Sequence, residues 1–197
     1  MLRVANVVRT TKETDIDLAI RLEGTGKAEI ETGNGFFDHM LTLFCAHARF
    51  DMKVQCNGDT YVDFHHSAED IGICLGKAIS EALGDMRGIN RYGDIILPMD
   101  EALIMCAADI SGRSSLGFDS EMPSSKVGEF DTELVEEFLL ALVRNAGITL
   151  HVRKLAGTNT HHVIEGIFKA LGRTLRRCVA FDPELAGEIP STKGVLR

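Results

Sequence analysis

Residues 14–22 alternate, with Ile16, Leu18, Ile20 and Leu22 on one side and Asp15, Asp17 and Arg21 among those on the other. A period of two marks a half-buried strand. Gly24 and Gly26 then turn the chain, a second strand is predicted near 27–32, and Gly33-Asn34-Gly35 precedes a change of period. Phe37, Met40, Leu41, Phe44 and Ala48 recur at helical spacing, and His39 projects roughly opposite this apolar stripe. Residues 50–56 and 59–64 read as short strands around Asn57-Gly58, a hairpin-type dipeptide. A longer helix opens at His65, carries Ala68, Ile71, Gly72, Leu75, Ile79 and Ala82 on one face, and ends near Gly84.

After Gly88 and Pro98 the same order restarts. A buried strand runs from Glu101 to Ile110, and Ser111-Gly112-Arg113 turns it. The interval from Glu101 to Gly112 equals that from Glu13 to Gly24. A polar loop, 119–131, is the longest departure from the first half. Val135, Phe138, Leu139, Leu142 and Ala146 then repeat the first helical stripe 98 positions later, which sets Glu137 where His39 stood. Ile164, Ile167, Phe168, Leu171, Leu175 and Cys178 repeat the second stripe 96 positions later. Two similar halves, near 1–90 and 91–190, follow, and two copies are too few for a solenoid. Each half offers about four strands and two helices, so the fold class expected is α+β with helices packed on sheets. The whole chain, 1–197, reads as one domain made of these repeats and a C-terminal tail.

Composition narrows the class of function. The 197 residues are ordinary for a globular protein, with a net charge of −8 and a calculated pI near 5.4. No basic run supports a nucleic-acid surface, no stretch is long enough to span a bilayer, and no signal pattern opens the chain. A cytoplasmic protein is expected. The five cysteines (Cys45, Cys56, Cys74, Cys106 and Cys178) are odd in number and never in Cys-x-x-Cys spacing, so reduced buried thiols are expected.

Histidine is where the repeat acquires chemistry. His65-His66-Ser67-Ala68-Glu69 reappears as His161-His162-Val163-Ile164-Glu165, and these pairs hold four of the seven histidines. At a helix start Glu69 lies four residues from His65 and three from His66, beside both imidazoles. The adjacent imidazoles diverge by roughly 100°, so one pair can serve two ions. His39, His65, His66, Glu69, Glu137, His161, His162 and Glu165 make eight candidate ligands without a thiolate. Imidazole with carboxylate and open positions suits an octahedral ion such as Mn²⁺ or Fe²⁺ better than closed tetrahedral zinc. The plain alternative is a pair of helix starts where His and Glu act as caps. His151, next to Leu150, reads as structural, and His47 stands as a favourable cation at a helix C-terminus.

Cationic loops are few in an acidic chain. Arg91 follows Gly88-Ile89-Asn90, Arg113 follows Ser111-Gly112, and Ser191-Thr192-Lys193-Gly194 lies in the tail. Hydroxyl, backbone N–H and cation are the parts of a phosphate cradle, and ordinary surface loops are the alternative. Glu13 stands just before a strand as an exposed carboxylate.

Five motifs together resemble the imidazoleglycerol-phosphate dehydratase family. They are Gly35-Phe36-Phe37-Asp38-His39-Met40-Leu41, His65-His66-Ser67-Ala68-Glu69-Asp70, Asp109-Ile110-Ser111-Gly112-Arg113, Asn159 to Glu165 with Phe168-Lys169-Ala170, and Pro190-Ser191-Thr192-Lys193-Gly194. The resemblance implies a duplicated half-domain of the ribosomal-protein-S5-domain-2-like type, two four-stranded sheets packed with helices. It also implies a homo-oligomeric shell of 24 subunits with two Mn²⁺ per active site, built between subunits. One ion would be held by His39, His66, Glu69 and His161, the other by His65, Glu137, His162 and Glu165. Some family members carry His where this chain has Glu137. Phosphate would fall to Arg91, Arg113, Ser191, Thr192 and Lys193, with His47 near the substrate. Glu13 would be the acid/base carboxylate. The implied reaction dehydrates D-erythro-imidazole glycerol phosphate to imidazole acetol phosphate in histidine biosynthesis, through an imidazolate held by the two manganese ions. A metal-storage or metal-sensing shell and a metal-dependent phosphatase are the competing readings of the same ligands.

Overall fold

The structure is a computed structural model and describes residues 2–196. The first half runs β1 (Val4–Thr10), β2 (Thr14–Arg21), β3 (Ala28–Glu31), α1 (Gly35–Ala48), β4 (Asp51–Gly58) and α2 (His65–Leu83). The second runs β5 (Tyr92–Met99), β6 (Ala102–Ile110), β7 (Ser115–Asp119), β8 (Lys126–Val127), β9 (Phe130–Asp131), α3 (Leu134–Ala146), β10 (Ile148–Ala156) and α4 (Thr160–Val179). A 3-10 turn at Pro183–Leu185 leads into the tail.

Both halves build the same sheet. One has the order β1-β2-β4-β3 and the other β5-β6-β10-β7. In each, the first three strands pair antiparallel and the last pair, β3 with β4 or β7 with β10, is parallel. A parallel neighbour needs a crossover, and α1 and α3 supply it. Alternation on β2 buries Thr14, Ile16, Leu18 and Ile20, and on β6 buries Ala102, Ile104, Cys106, Ala108 and Ile110. The fold class is therefore the α+β arrangement expected, with two four-stranded sheets and four long helices.

Several strands and one loop differ from the expectation, and β5, β7 and β10 fill places in the second half that the sequence pattern had not located. β1 alternates in burial, but Val4 and Val8 lie on its exposed face and Arg9 on the other, so the residue types do not show the alternation. The predicted 59–64 strand and its hairpin do not form. Asn57 and Gly58 instead continue β4, pairing with Asp15 and Thr14 of β2. Gly58 is needed for close approach, because a Cβ there would lie 2.1 Å from the Ser67 Oγ of α2. Residues 59–62 turn into that helix, with the Val62 amide donating to the Asp59 carbonyl. The polar loop 119–131 holds the small β8–β9 hairpin, and it buries Phe130.

The helices are exchanged between the halves. α2 packs on its own sheet and receives α3 from the second half, while α4 packs on the second sheet and receives α1 from the first. Both crossings use the same atoms. A Cβ on Gly76 of α2 would lie 2.5 Å from the Leu142 carbonyl oxygen of α3, and a Cβ on Gly172 of α4 would lie 2.6 Å from the Phe44 carbonyl oxygen of α1. Gly76 and Gly172 occupy equivalent places in the 96-residue repeat, as Phe44 and Leu142 do in the 98-residue one. Between the pairs, Phe37 stacks on Phe130 at 5.6 Å and meets Phe138 edge-on at 5.3 Å, and Phe138 stacks on Phe168 at 5.5 Å. This cluster ties α1, α3, α4 and the 119–131 loop to one core.

Asp51, at the start of β4, clamps the turn before β3. Its Oδ1 accepts from the amides of Thr25, Gly26 and Lys27 at 2.7, 3.0 and 2.9 Å, and Arg21 pairs with Oδ2. Burial alone would raise this carboxyl, but the Lys27 and Thr25 amides and the Arg21 guanidinium outweigh it and hold Asp51 well below the ordinary carboxylate range.

Two outcomes follow from this packing. Gly172→Ala should destabilise the fold by about 1–3 kcal/mol, because the methyl group forces two backbones apart. A denaturation midpoint at or above that of the wild type, as helix propensity alone would give, contradicts the close approach. Asp51 binds its proton only below the pH at which the unfolded chain does. Its contribution is therefore complete above an unfolded value of about 3.9 and is lost as pH falls through that value toward the folded one. Asp51→Asn should lower stability at neutral pH and flatten the acid loss below about pH 4; an acid-stability curve parallel to that of the wild type contradicts the clamp.

Candidate metal centre

Asn34 caps α1, its side chain accepting from the Phe37 amide, and so directs the first turn. His39 then projects from the exposed side of α1 while Phe37 and Met40 enter the core. On α4, Asn159 is the cap, accepting from the amides of His161 and His162. Before α2, Asp63 accepts from the His65 amide at 2.8 Å. Asn159 therefore does at α4 the capping work that the plain reading assigned to the paired histidines, α2 begins without a side-chain cap at Phe64, and no imidazole caps either helix.

The α1–α4 crossing brings His39, His161 and Glu165 together. One ligating atom from each lies within 4.8 Å of the others, and this is the one such group among the described residues. His161 Nε2 is 3.2 Å and His39 Nε2 3.8 Å from Glu165 Oε2. The other oxygen, Oε1, takes Lys169 Nζ at 2.6 Å. Burial alone would raise the Glu165 carboxyl, but Lys169, with His161 and His39, outweighs it and holds Glu165 below its ordinary range. A charged carboxylate thus faces two imidazoles that are nearly half exposed, and Phe36 packs edge-on against His161 at 5.2 Å. Two nitrogens and an oxygen on one open surface are a donor set that fits a divalent first-row ion.

Within one chain this grouping differs from the division that the resemblance implied, which set Glu165 apart from His39 and His161. The reason is helical. Glu165 stands one turn after His161 and shares its face, whereas His162 diverges from it. By the repeat, Glu137 of α3 stands where His39 stands on α1, and His65 and Glu69 of α2 stand where His161 and Glu165 stand on α4. Glu137, His65 and Glu69 are half-buried and form no ligand group by themselves among the described residues.

The second histidine of each pair faces a carboxylate instead. His66 Nδ1 lies 3.0 Å from Asp59 Oδ2, and its Nε2 lies 3.8 Å from Glu13 Oε1. His162 Nδ1 lies 2.7 Å from Glu101 Oε2, while Glu101 Oε1 accepts from the Asn159 amide at 2.8 Å. A carboxylate only accepts, so each Nδ1 carries the hydrogen, and in the neutral ring Nε2 holds the lone pair. The His162 ring, then the Asn159 amide, push Glu101 down to about 2, and Asp59 raises His66 as Glu101 raises His162. Asp59, Glu101 and Lys169 were not among the candidates read from the sequence. Glu101 had a signal, since it stands 88 residues after Glu13 at the same place in the repeat.

The remaining candidates fall elsewhere. Arg91, Arg113 and the tail meet around Asp109, with Arg91 forked onto its carboxylate at 2.7 and 3.1 Å. His47 ends α1 beside Arg173 of α4, whose Nε donates to His47 Nδ1 at 3.4 Å. Burial, then Arg173 and Lys169, lower its pKa, so it stands as a neutral acceptor rather than a cation. No hydrogen bond or ion pair joins it to Arg91, Arg113 or the tail among the described residues. His151 lies on the exposed face of β10 over Gly117, where a Cβ would meet the ring at 2.4 Å. The five cysteines are all free and buried.

With this geometry in view, comparison with known proteins is specific. The sequence profile of the imidazoleglycerol-phosphate dehydratase family matches residues 32–175. The imidazoleglycerol-phosphate dehydratase of Azorhizobium caulinodans is 60% identical over 195 residues, covering 99% of each chain, and that of Desulforamulus reducens is 58% identical over 194 residues, covering 98% of each. The crystal structure of the Staphylococcus aureus enzyme superposes with a TM-score of 0.83 at 41% identity, over 91% of this chain and 99% of that one. The Pyrococcus furiosus enzyme, solved in complex with (S)-C348, also reaches 0.83 at 38% identity, over 96% and 100%. The chain belongs to the imidazoleglycerol-phosphate dehydratase family.

Proposed function

We propose that the chain removes water from D-erythro-imidazole glycerol phosphate to give imidazole acetol phosphate, a lyase step of histidine biosynthesis. Family membership supports the dehydration itself. Within the molecule, the convergence of His39, His161 and Glu165 carries the reading, because it joins ligands from both halves at one exposed point.

The metal we assign is Mn²⁺, two ions per active site. His39, His161 and Glu165 would hold one, and His65, Glu69 and Glu137 the other. A second carboxylate in place of an imidazole, at Glu137, favours a hard ion such as manganese. His66 and His162, with Nδ1 fixed by Asp59 and Glu101, have Nε2 available for ions on a neighbouring copy. Sites shared between subunits of a homo-oligomer follow, and the 24-subunit shell is the assembly proposed. When bound, the ions supply Lewis acidity at the substrate imidazole.

This chain's residues do the rest. Elimination takes one hydrogen and the neighbouring hydroxyl from the glycerol chain as water, and the enol left behind becomes the ketone by one further proton shift. Glu13, exposed and beside His66, is the carboxylate that moves these protons. Arg91, Arg113, Ser191, Thr192 and Lys193 hold the phosphate by charge-assisted hydrogen bonds. His47, turned to Arg173, is left out of that set. No helix among the described residues is long and apolar enough to cross a membrane. We place the enzyme in the cytoplasm, acting on a small phosphorylated imidazole with no nucleic-acid partner.

The test compares Mn²⁺-loaded and chelator-stripped protein on imidazole glycerol phosphate, following the acetol product and free phosphate together. Metal-dependent acetol without free phosphate is expected. Free phosphate would mark a phosphatase, and metal binding without turnover a storage or sensing shell. Glu13→Gln should lower kcat by about 10²–10⁴ with metal content unchanged; full turnover would remove Glu13 from the reaction.

A further inference from the structure

Asp109 closes β6 and holds the two arginines of the anion-binding region. Its carboxylate takes the Arg91 fork, Nε on Oδ1 at 2.7 Å and Nη2 on Oδ2 at 3.1 Å, and Arg113 Nη2 lies 3.9 Å from Oδ2. The Arg91 and Asp109 side chains are largely buried, at 12% and 20% exposure, whereas Arg113 is 66% exposed. Arg91 then reaches a third partner, donating from Nη1 to the Pro190 carbonyl at 2.8 Å. Pro190 immediately precedes the tail turn, in which the Lys193 amide donates to Ser191 Oγ at 3.2 Å and the Gly194 amide to the Ser191 carbonyl at 3.0 Å. The Arg91 backbone is itself unusual, with φ at 69°, a region non-glycine residues rarely adopt. Its amide donates to the Cys178 carbonyl and its carbonyl accepts from Ile110, so β6 and α4 fix that conformation.

A carboxylate inside a phosphate cradle presents two opposed effects. Its charge repels an incoming anion, while its bidentate geometry orients the guanidinium that must meet the anion. The geometry also runs on from Asp109 through Arg91 to the tail, so one carboxylate fixes Arg91, reaches the Ser191–Lys193 turn through it, and draws the exposed Arg113 by charge alone.

We propose that Asp109 is a positioning residue for phosphate recognition, aligning Arg91 and Arg113 and, through Arg91, docking the tail turn that brings Ser191 and Lys193 to the same anion. The inference rests on the proposed reading of this region as the place where the substrate's phosphate is held. Asp109 touches no substrate atom; its role is exerted through the two arginines.

The test is calorimetric titration of the metal-loaded protein with inorganic phosphate, and separately with imidazole, in wild type, Asp109→Asn and Asp109→Glu. Asp109→Asn should weaken phosphate by about 10-fold or more, since it removes a charge-assisted fork. Imidazole affinity and metal content should be unchanged, and amide exchange over 188–196 should accelerate. Asp109→Glu, which keeps the charge and shifts the fork, should fall between the two. In turnover, the loss should appear in KM with kcat held. Phosphate binding that is unchanged or tightened in Asp109→Asn would show that repulsion outweighs positioning and overturn the proposal. Equal loss of imidazole and phosphate affinity would overturn it as general damage, as would a wild type that binds no phosphate. A wild type that binds phosphate with this Asp109 dependence but does not dehydrate the substrate would refute the proposed reaction and leave the positioning role standing.

Discussion

Close approach of backbones at Gly76 and Gly172 is the constraint on which the remaining geometry depends. Each helix of one half lies against a helix of the other with no room for a methyl group at the crossing. That contact fixes how far α1 slides along α4, and so which residues meet at their N-terminal ends. His39 lies five residues before the Phe44 contact and His161 eleven before Gly172, so their imidazoles arrive at one point because the crossing holds both helices in register. The aromatic cluster of Phe37, Phe130, Phe138 and Phe168 locks the same register from within. Exchange of helices thus builds the His39–His161–Glu165 group: the first half lends His39 to the second, and neither half holds all three side chains alone.

Carboxylates then decide what each imidazole can do. Glu165 shares the His39–His161 face and completes a group that could hold an ion, while Asp59 and Glu101 stand behind His66 and His162 and orient them. One side-chain type serves as donor atom in one place and as orienting partner in another, and position on the helix separates the two roles. Asp109 applies the second role to arginine, in a region where its charge alone would be a disadvantage.

Much of this was legible in the sequence, for a physical reason. The helical stripes are buried on one side and polar on the other, so α1, α2, α3 and α4 and their repeat could be read directly, and the repeat singled out eight candidate ligands. The misses have reasons of the same kind. β1 is an edge strand with Val4 and Val8 outward, so its alternation is masked. Gly58 looks like a hairpin residue, but it is there to admit Ser67. That Glu165 lies near both His39 and His161 within one chain, a neighbourhood the sequence leaves open, depends on how two distant helices cross. Asp59 and Glu101 were not candidates, and Asp109 entered only as part of a motif, for a similar reason: each acts through a partner brought near by the fold, 7, 61 and 18 residues away.

The central claim is that duplication gives each chain the ligands for two manganese ions. Titrating chelator-stripped protein with Mn²⁺, and reading the free ion by electron paramagnetic resonance, tests it most directly. The account predicts two ions bound per chain in the wild type and one in His39→Ala, whereas a single ion in the wild type, or two retained without His39, would contradict it.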